Sequence, residues 1–180
     1  MQEVTINKAA RLSEHLTSSS VATLGHSNEL DGSRLSPHFT LGEMCKTSAK
    51  TADGNIPSHV HIENLKRLCG WLEMLRSEWN KRYGEGDDPI VINSGYRSEA
   101  VNKAVGGVKG SNHLTGCAAD IRVAGIEQLV RYATILLDIS DESQEDFDEL
   151  LLERSPRGGY WLHFAVRPSG NRRKVRLIQT

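Results

Sequence analysis

The chain has 180 residues, a length that suits one compact domain with some left for an extension. It is 38% hydrophobic and 25% charged with a formal net charge of −1, so no general electrostatic pull toward nucleic acid or an anionic membrane is expected. No apolar run approaches the roughly 18 residues of a membrane-crossing helix, and the N-terminal stretch MQEVTINKAARLSEHL lacks the basic-then-apolar order of a secretory signal.

Residues 1–36 turn rich in Ser, Asn, Asp and Gly (TSSSVATLGHSNELDGS) and show no sustained periodicity, which predicts an irregular N-terminal extension. The compact domain is taken as 37–180. Thr40 is placed to cap a short helix through LGEM. After Pro57-Ser58, Leu65, Leu68, Leu72, Leu75 and Trp79 recur at spacings of three and four, predicting an amphipathic helix that stops near Gly84-Glu85-Gly86. PIVIN at 89–93 reads as a buried strand. SEAVNKAV reads as a short helix capped by Ser98 and closed by Gly106-Gly107. A second long helix is expected over 126–139. FDELLLE at 147–153 and YWLHFAV at 160–166 flank the turn RSPRGG, and NRRKVRLIQT suggests one more strand. Helices with a mainly antiparallel sheet make the fold class α+β. Cys45, Cys69 and Cys117 stand far apart with no CxxC pair, so free thiols are expected, with Cys69 and Cys117 buried.

The segment SNHLTGCAAD places an imidazole, His113, in a glycine-containing loop and a carboxylate, Asp120, at the edge of the apolar run IRV. Period-two alternation sends Ile121 and Val123 inward and Asp120 to the opposite side. Along YWLHFAV the same rule puts Tyr160, Leu162, Phe164 and Val166 on one face, leaving Trp161, His163 and Ala165 on the other. If these strands pair, Asp120 and His163 share a face and His113 leans in from its loop. Two neutral imidazoles and a carboxylate form a common catalytic zinc set with a fourth position left for water. Spacing alone leaves this level with the ordinary alternatives, a hydrogen-bonded strand histidine and a turn-forming aspartate. His15, His26, His38, His59 and His61 are assigned structural or solvated roles; His59 and His61, two apart at a helix start, point to different sides.

SGYRSEAVNKAVGG, SNHLTGCAAD, FDELLLE and WLHFAV, in that order, resemble the zinc D-Ala-D-Ala carboxypeptidase family, whose fold is similar to that of hedgehog signalling domains. The likeness runs from about Phe39 to Arg173, with the pattern Ser-x-His-x-x-Gly-x-Ala-x-Asp intact at Ser111, His113, Gly116, Ala118 and Asp120. The resemblance implies a Zn2+ cofactor held by His113, Asp120 and His163. It implies that Arg97 contacts substrate and helps stabilise the developing oxyanion, as a permanently charged fork of donors can. Ser111 is a candidate substrate contact or a loop-stabilising hydroxyl. Trp161, on the face of His163, is a third candidate for substrate binding.

The general base departs from the common pattern, since the third residue before His163 is Tyr160. The nearest upstream carboxylate is Glu153, where a subset of the family also carries a glutamate. A hairpin with Glu153 opposite Trp161 and Leu151 opposite His163 makes Glu153 and His163 diagonal neighbours, about 7–8 Å apart. A one-residue slip would turn Glu153 to the wrong face. Glu149, of the same parity, is the reserve candidate. The expected function is zinc-dependent hydrolysis of amide bonds in peptidoglycan peptides, as carboxypeptidase or endopeptidase, in a protein of bacterial or phage origin acting at the cell wall. A metal-binding but inactive module that recognises cell wall or a protein partner stays open, as does an assembly protein that keeps the fold unused. The basic residues Arg167, Arg172, Arg173, Lys174 and Arg176 are read as a solvated strand face.

Overall fold

The structure, a computed structural model, describes residues 32–179; most of the N-terminal extension, with His15 and His26, lies outside the described residues. In chain order the elements are α1 (Leu41–Met44), α2 (His59–Arg82), β1 (Ile92–Ser94), α3 (Glu99–Ala104), a 3-10 turn (Asn112–Thr115), β2 (Ala118–Arg122), α4 (Ile126–Ser143), β3 (Glu149–Arg154), β4 (Tyr160–Ala165) and β5 (Lys174–Gln179).

The helix starts follow from local chemistry. The Thr40 hydroxyl accepts from the Glu43 N–H and caps α1. At α2 the Ser58 hydroxyl accepts from the His61 N–H at 3.4 Å while the His61 ring accepts from the Ser58 N–H at 3.2 Å, a reciprocal cap. His61 also packs its ring 4.8 Å from that of Tyr96, so its role is structural, as expected. The stripe Leu65, Leu68, Leu72, Leu75 and Trp79 is buried along α2, and Leu129, Tyr132, Ile135, Leu136 and Ile139 form its counterpart on α4. Ser98 caps α3 as its sequence predicts, and α4 runs four residues past the expected Ile139.

Both helices cover one face of a five-stranded sheet of order β1-β2-β4-β3-β5, antiparallel except for the β3–β5 pair. Ile121, Leu150, Leu162, Phe164 and Val166 point into this core, where Trp71 meets Phe147 and Phe164. Each fully buried side chain of this size contributes about 1.5–3 kcal/mol, so the register that buries them is strongly fixed. In that register Asp120 faces His163, Leu151 also faces His163, and Glu153 faces Trp161. The hairpin expected from the sequence is the one formed.

Two expectations are corrected. PIVIN is not a buried strand: β1 begins only at Ile92, lies at the sheet edge, and of the run only Ile90 is buried. Pro89 has no N–H to give a ladder, and the β1–β2 register shifts between Ile92 and Ser94. The basic segment is not simply a solvated face. Arg172 grips the fully buried Asp148 carboxylate with Nε at 2.7 Å and Nη2 at 2.8 Å, and Arg167 Nε approaches it at 3.0 Å. Arg173 pairs with Asp141 and Asp146, and Lys174 with Glu149. Cys69 and Cys117 are buried free thiols and Cys45 is a half-buried one.

Two substitutions test how the fold is held. Gly116 closes the 3-10 turn with φ of 71°, and an added Cβ would sit 2.6 Å from the His61 carbonyl oxygen. Left-handed strain and overpacking together predict that Gly116→Ala costs about 2–4 kcal/mol, read as a lowered urea midpoint at unchanged slope. Asp148→Asn removes the charge that neutralises two arginines. Because Arg167 and Arg172 side chains are 34% and 47% exposed and regain water, the expected loss is about 2–3 kcal/mol, below that of a fully buried pair. Burial alone would raise the Asp148 pKa, but its hydrogen bonds with Arg172 and Asn112 prevail and lower it. Its contribution is therefore full above the unfolded value near about 3.9 and lost as pH falls through the lower folded value. Denaturation at pH 7 should show the full difference from Asp148→Asn, and below about pH 4 the gap should narrow.

Candidate metal centre

His113 is set by its loop. The Ser111 hydroxyl accepts from the His113 N–H at 3.3 Å, and the Arg97 N–H donates to the His113 carbonyl at 3.1 Å. The ring Nδ1 lies 2.6 Å from the Gly95 carbonyl oxygen. A carbonyl only accepts, so Nδ1 carries the proton and Nε2 is left with a lone pair. That Nε2 lies 3.2 Å from Asp120 Oδ1. From the opposite strand, His163 brings Nδ1 to 2.9 Å from the same oxygen, and its Nε2 stands 3.6 Å from Glu149 Oε2.

Parity and pairing thus bring His113, Asp120 and His163 together, with one ligand atom from each inside a span of 4.8 Å. Both rings are buried, at 2% and 7% exposure. Nitrogen, nitrogen and carboxylate oxygen is a donor set that suits zinc, with room for further coordination. Each inward ring nitrogen has a partner for the ring's other nitrogen, the arrangement that orients metal-ligating histidines.

The charges around this triad fit such a role. Burial pushes the His113 pKa down and favours the neutral ring. Burial acts likewise on His163, but its hydrogen bond to Asp120 and the nearby Glu149 carboxylate outweigh it and raise the pKa to about 9. For Asp120, burial opposes ionisation, yet the two imidazoles hold it well below the usual carboxylate range. A cation bound by these groups would compete with protons for the same nitrogens.

The triad lies in a cleft of about 530 Å³, within the size range of small-ligand sites. Arg97 lies on its wall, donating from Nη2 to Asp120 Oδ2 and from Nε to Ser94 Oγ at 2.8 Å. Ser111 and Trp161 line it as well; the Ser111 hydroxyl is the N-cap acceptor of the 3-10 turn, the loop-stabilising alternative. Glu153 faces the same cleft, and burial raises its pKa against the attraction of His163 and Arg97. Tyr160 packs against the core from the other face of β4, so the third position before His163 does not reach the cleft. Glu149, at the other end of β3, is held well below the ordinary carboxylate range, chiefly by its contact with His163 and then by Lys174.

Several participants carry no sequence signal strong enough to find. Gly95 acts through its carbonyl, which no side-chain pattern reveals. Asn112 donates to Asp148 at 2.8 Å and to Glu149 at 3.0 Å, and accepts from Arg167 at 3.0 Å.

The zinc D-Ala-D-Ala carboxypeptidase of Streptomyces albus G is 30% identical over 84 residues, which is 47% of this chain and 31% of that protein. The chain therefore aligns with about a third of that relative's length. The family described as Peptidase M15 matches residues 37–138, a span that carries Arg97, Ser111, His113 and Asp120 and ends before β3 and β4. With more than half its length matched, the chain belongs to the Peptidase M15 family.

Proposed function

We propose that this protein is a zinc peptidase that hydrolyses amide bonds in peptidoglycan peptides, as a carboxypeptidase or endopeptidase. The observation that carries the proposal is the convergence of His113, Asp120 and His163 within 4.8 Å in a cleft that also holds Glu153. Zinc fits this donor set, with His113 Nε2, Asp120 and His163 Nδ1 as its ligands. The similarity to an enzyme named for zinc and for D-Ala-D-Ala supports an amide between D-amino acids as substrate, and peptidoglycan stem peptides are the class that contains one.

When bound there, zinc supplies Lewis acidity, which lowers the pKa of water from about 16 to about 7. The protein's own groups do the rest. Glu153 takes the proton of the attacking water and passes it to the departing amine. Its half-buried carboxylate is suited to this, because a raised pKa brings a base closer to the operating pH and eases the return of the proton. Arg97 offsets negative charge on the carbonyl oxygen, since its guanidinium lies beside the cleft and stays charged. Trp161 offers a broad apolar wall for the peptide, and Ser111 holds the loop that presents His113.

Purified peptidoglycan incubated with the zinc-loaded protein should yield new peptide termini by mass spectrometry, and the termini identify the bond cut. Glu153→Gln should lower the rate by about 10²–10⁴-fold while retaining bound zinc, measured by inductively coupled plasma mass spectrometry. A wild-type protein that binds zinc and peptidoglycan without cutting it would instead be a recognition module, and full activity in Glu153→Gln would move the base elsewhere.

A further inference from the structure

Glu149 and Glu153 stand four residues apart on β3, on the same cleft-facing side, yet they are held in different ways. Among the described residues, no hydrogen bond or ion pair holds the Glu153 carboxylate. Glu149 is gripped on both oxygens. Its Oε1 receives Lys174 Nζ at 2.8 Å and Arg172 Nη2 at 3.0 Å. Its Oε2 receives Asn112 Nδ2 at 3.0 Å and stands 3.6 Å from His163 Nε2. A carboxylate with this many donors is a poor proton acceptor from water but a good fixed acceptor for a neighbouring N–H.

The neighbour in question is one of the two histidines of the triad. An imidazole that ligates through Nδ1 must carry its proton on Nε2, and the opposite tautomer has no lone pair to offer. His163 turns Nδ1 to Asp120 and Nε2 to Glu149. His113 is set in the reverse sense, with Nδ1 on the Gly95 carbonyl and Nε2 toward Asp120. The two rings thus use opposite nitrogens, and each outward nitrogen has a fixed acceptor.

We propose that Glu149, clamped by Lys174, Arg172 and Asn112, is a positioning residue that serves as the acceptor facing the Nε2–H of His163, keeps the proton on Nε2 and so leaves Nδ1 as the metal-ligating nitrogen. The proposal rests on the metal-centre reading above. It gives the C-terminal strand a part in the site, because Lys174 opens β5 and Arg172 lies just before it. It also links the two histidines: Asn112, next to His113 in the chain, donates to the same Glu149 oxygen that faces His163. Loss of such an outer partner costs about 10–100-fold in metal affinity. The 3.6 Å separation is longer than a full hydrogen bond, which places the expected effect at the lower end of that range.

The test uses the whole chain as wild type, Glu149→Ala and Glu149→Gln. Zinc affinity is read by competition with a chelating dye, and ligand geometry by the visible absorption of the Co2+-substituted protein. Positioning predicts that Glu149→Ala loses about tenfold in zinc affinity and shifts the Co2+ spectrum. Glu149→Gln, which keeps an oxygen acceptor but not the charge, should recover most of the affinity and the wild-type spectrum. Equal losses in both variants would show a purely Coulombic effect, and wild-type behaviour in Glu149→Ala would show that the ring is held without this residue; either result overturns the proposal. If Glu149→Ala does not fold, Lys174→Met loosens the clamp with Glu149 in place, and a severalfold weaker zinc affinity with the same spectral shift is expected, an unchanged protein being the overturning result. A wild-type chain that takes up neither zinc nor Co2+ would overturn the metal-centre reading itself, an outcome distinct from failure of the positioning role alone.

Discussion

The site depends on one buried contact, the Asp120 carboxylate held between two imidazoles. Asp120 on β2 stands directly across from His163 on β4, and His163 Nδ1 reaches Asp120 Oδ1 at 2.9 Å. A buried anion of this kind costs several kcal/mol to desolvate unless cations or strong donors surround it. Here the second oxygen is met by Arg97 and the first by both rings. The position is therefore built for positive charge, whether a proton shared with His163 or a divalent cation. Shifting β2 against β4 by one residue would turn Asp120 into the hydrophobic core and expose Ile121, so the apolar packing fixes the polar site.

This division of labour between sheet faces extends across the molecule. The helix-covered face is closed by Leu150, Leu162, Phe164 and Ile121, each fully buried, while the other face carries Asp120, His163, Glu149 and Glu153. Because the side chains alternate along β2, β3 and β4, the inward residues that stabilise the core set Asp120, His163, Glu149 and Glu153 on the cleft side. The energy that places the chemistry comes from groups that take no part in it. The loop carrying His113 needs its own fastening, and it has three: the Ser111 cap, the left-handed Gly116 and the Gly95 carbonyl.

What could be read from the sequence was what obeys a short period or a local rule. The α2 stripe, the caps at Thr40 and Ser98, and the strand parities of Asp120 and His163 all follow from spacing. The register that sets Glu153 against Trp161 follows from hairpin geometry. What could not be read depends on partners far apart in the chain. The meeting of Asp148 with Arg167 and Arg172 is set by where β5 docks, parallel to β3, and nothing local encodes that docking. The segment that carries these arginines looks like a solvated run in isolation, because a charge pattern does not show that a buried carboxylate awaits it. β1 misled for the opposite reason: PIVIN has the composition of a buried strand, while its edge position and Pro89 decide the outcome.

The two glutamates of β3 supply the last step. They share a strand, a face and a cleft, and their surroundings push them apart. Glu149 is surrounded by Lys174, Arg172, Asn112 and His163 and stays ionised far below the usual range. Glu153 has burial as its dominant influence and is raised. Where one site drives two carboxylates in opposite directions, the raised one is fitted to exchange protons during reaction and the lowered one to hold a fixed negative charge. That contrast supports Glu153 as the base and Glu149 as the anchor of His163, with each glutamate placed by the β-strand they share and differentiated by what β5 brings to one end of it.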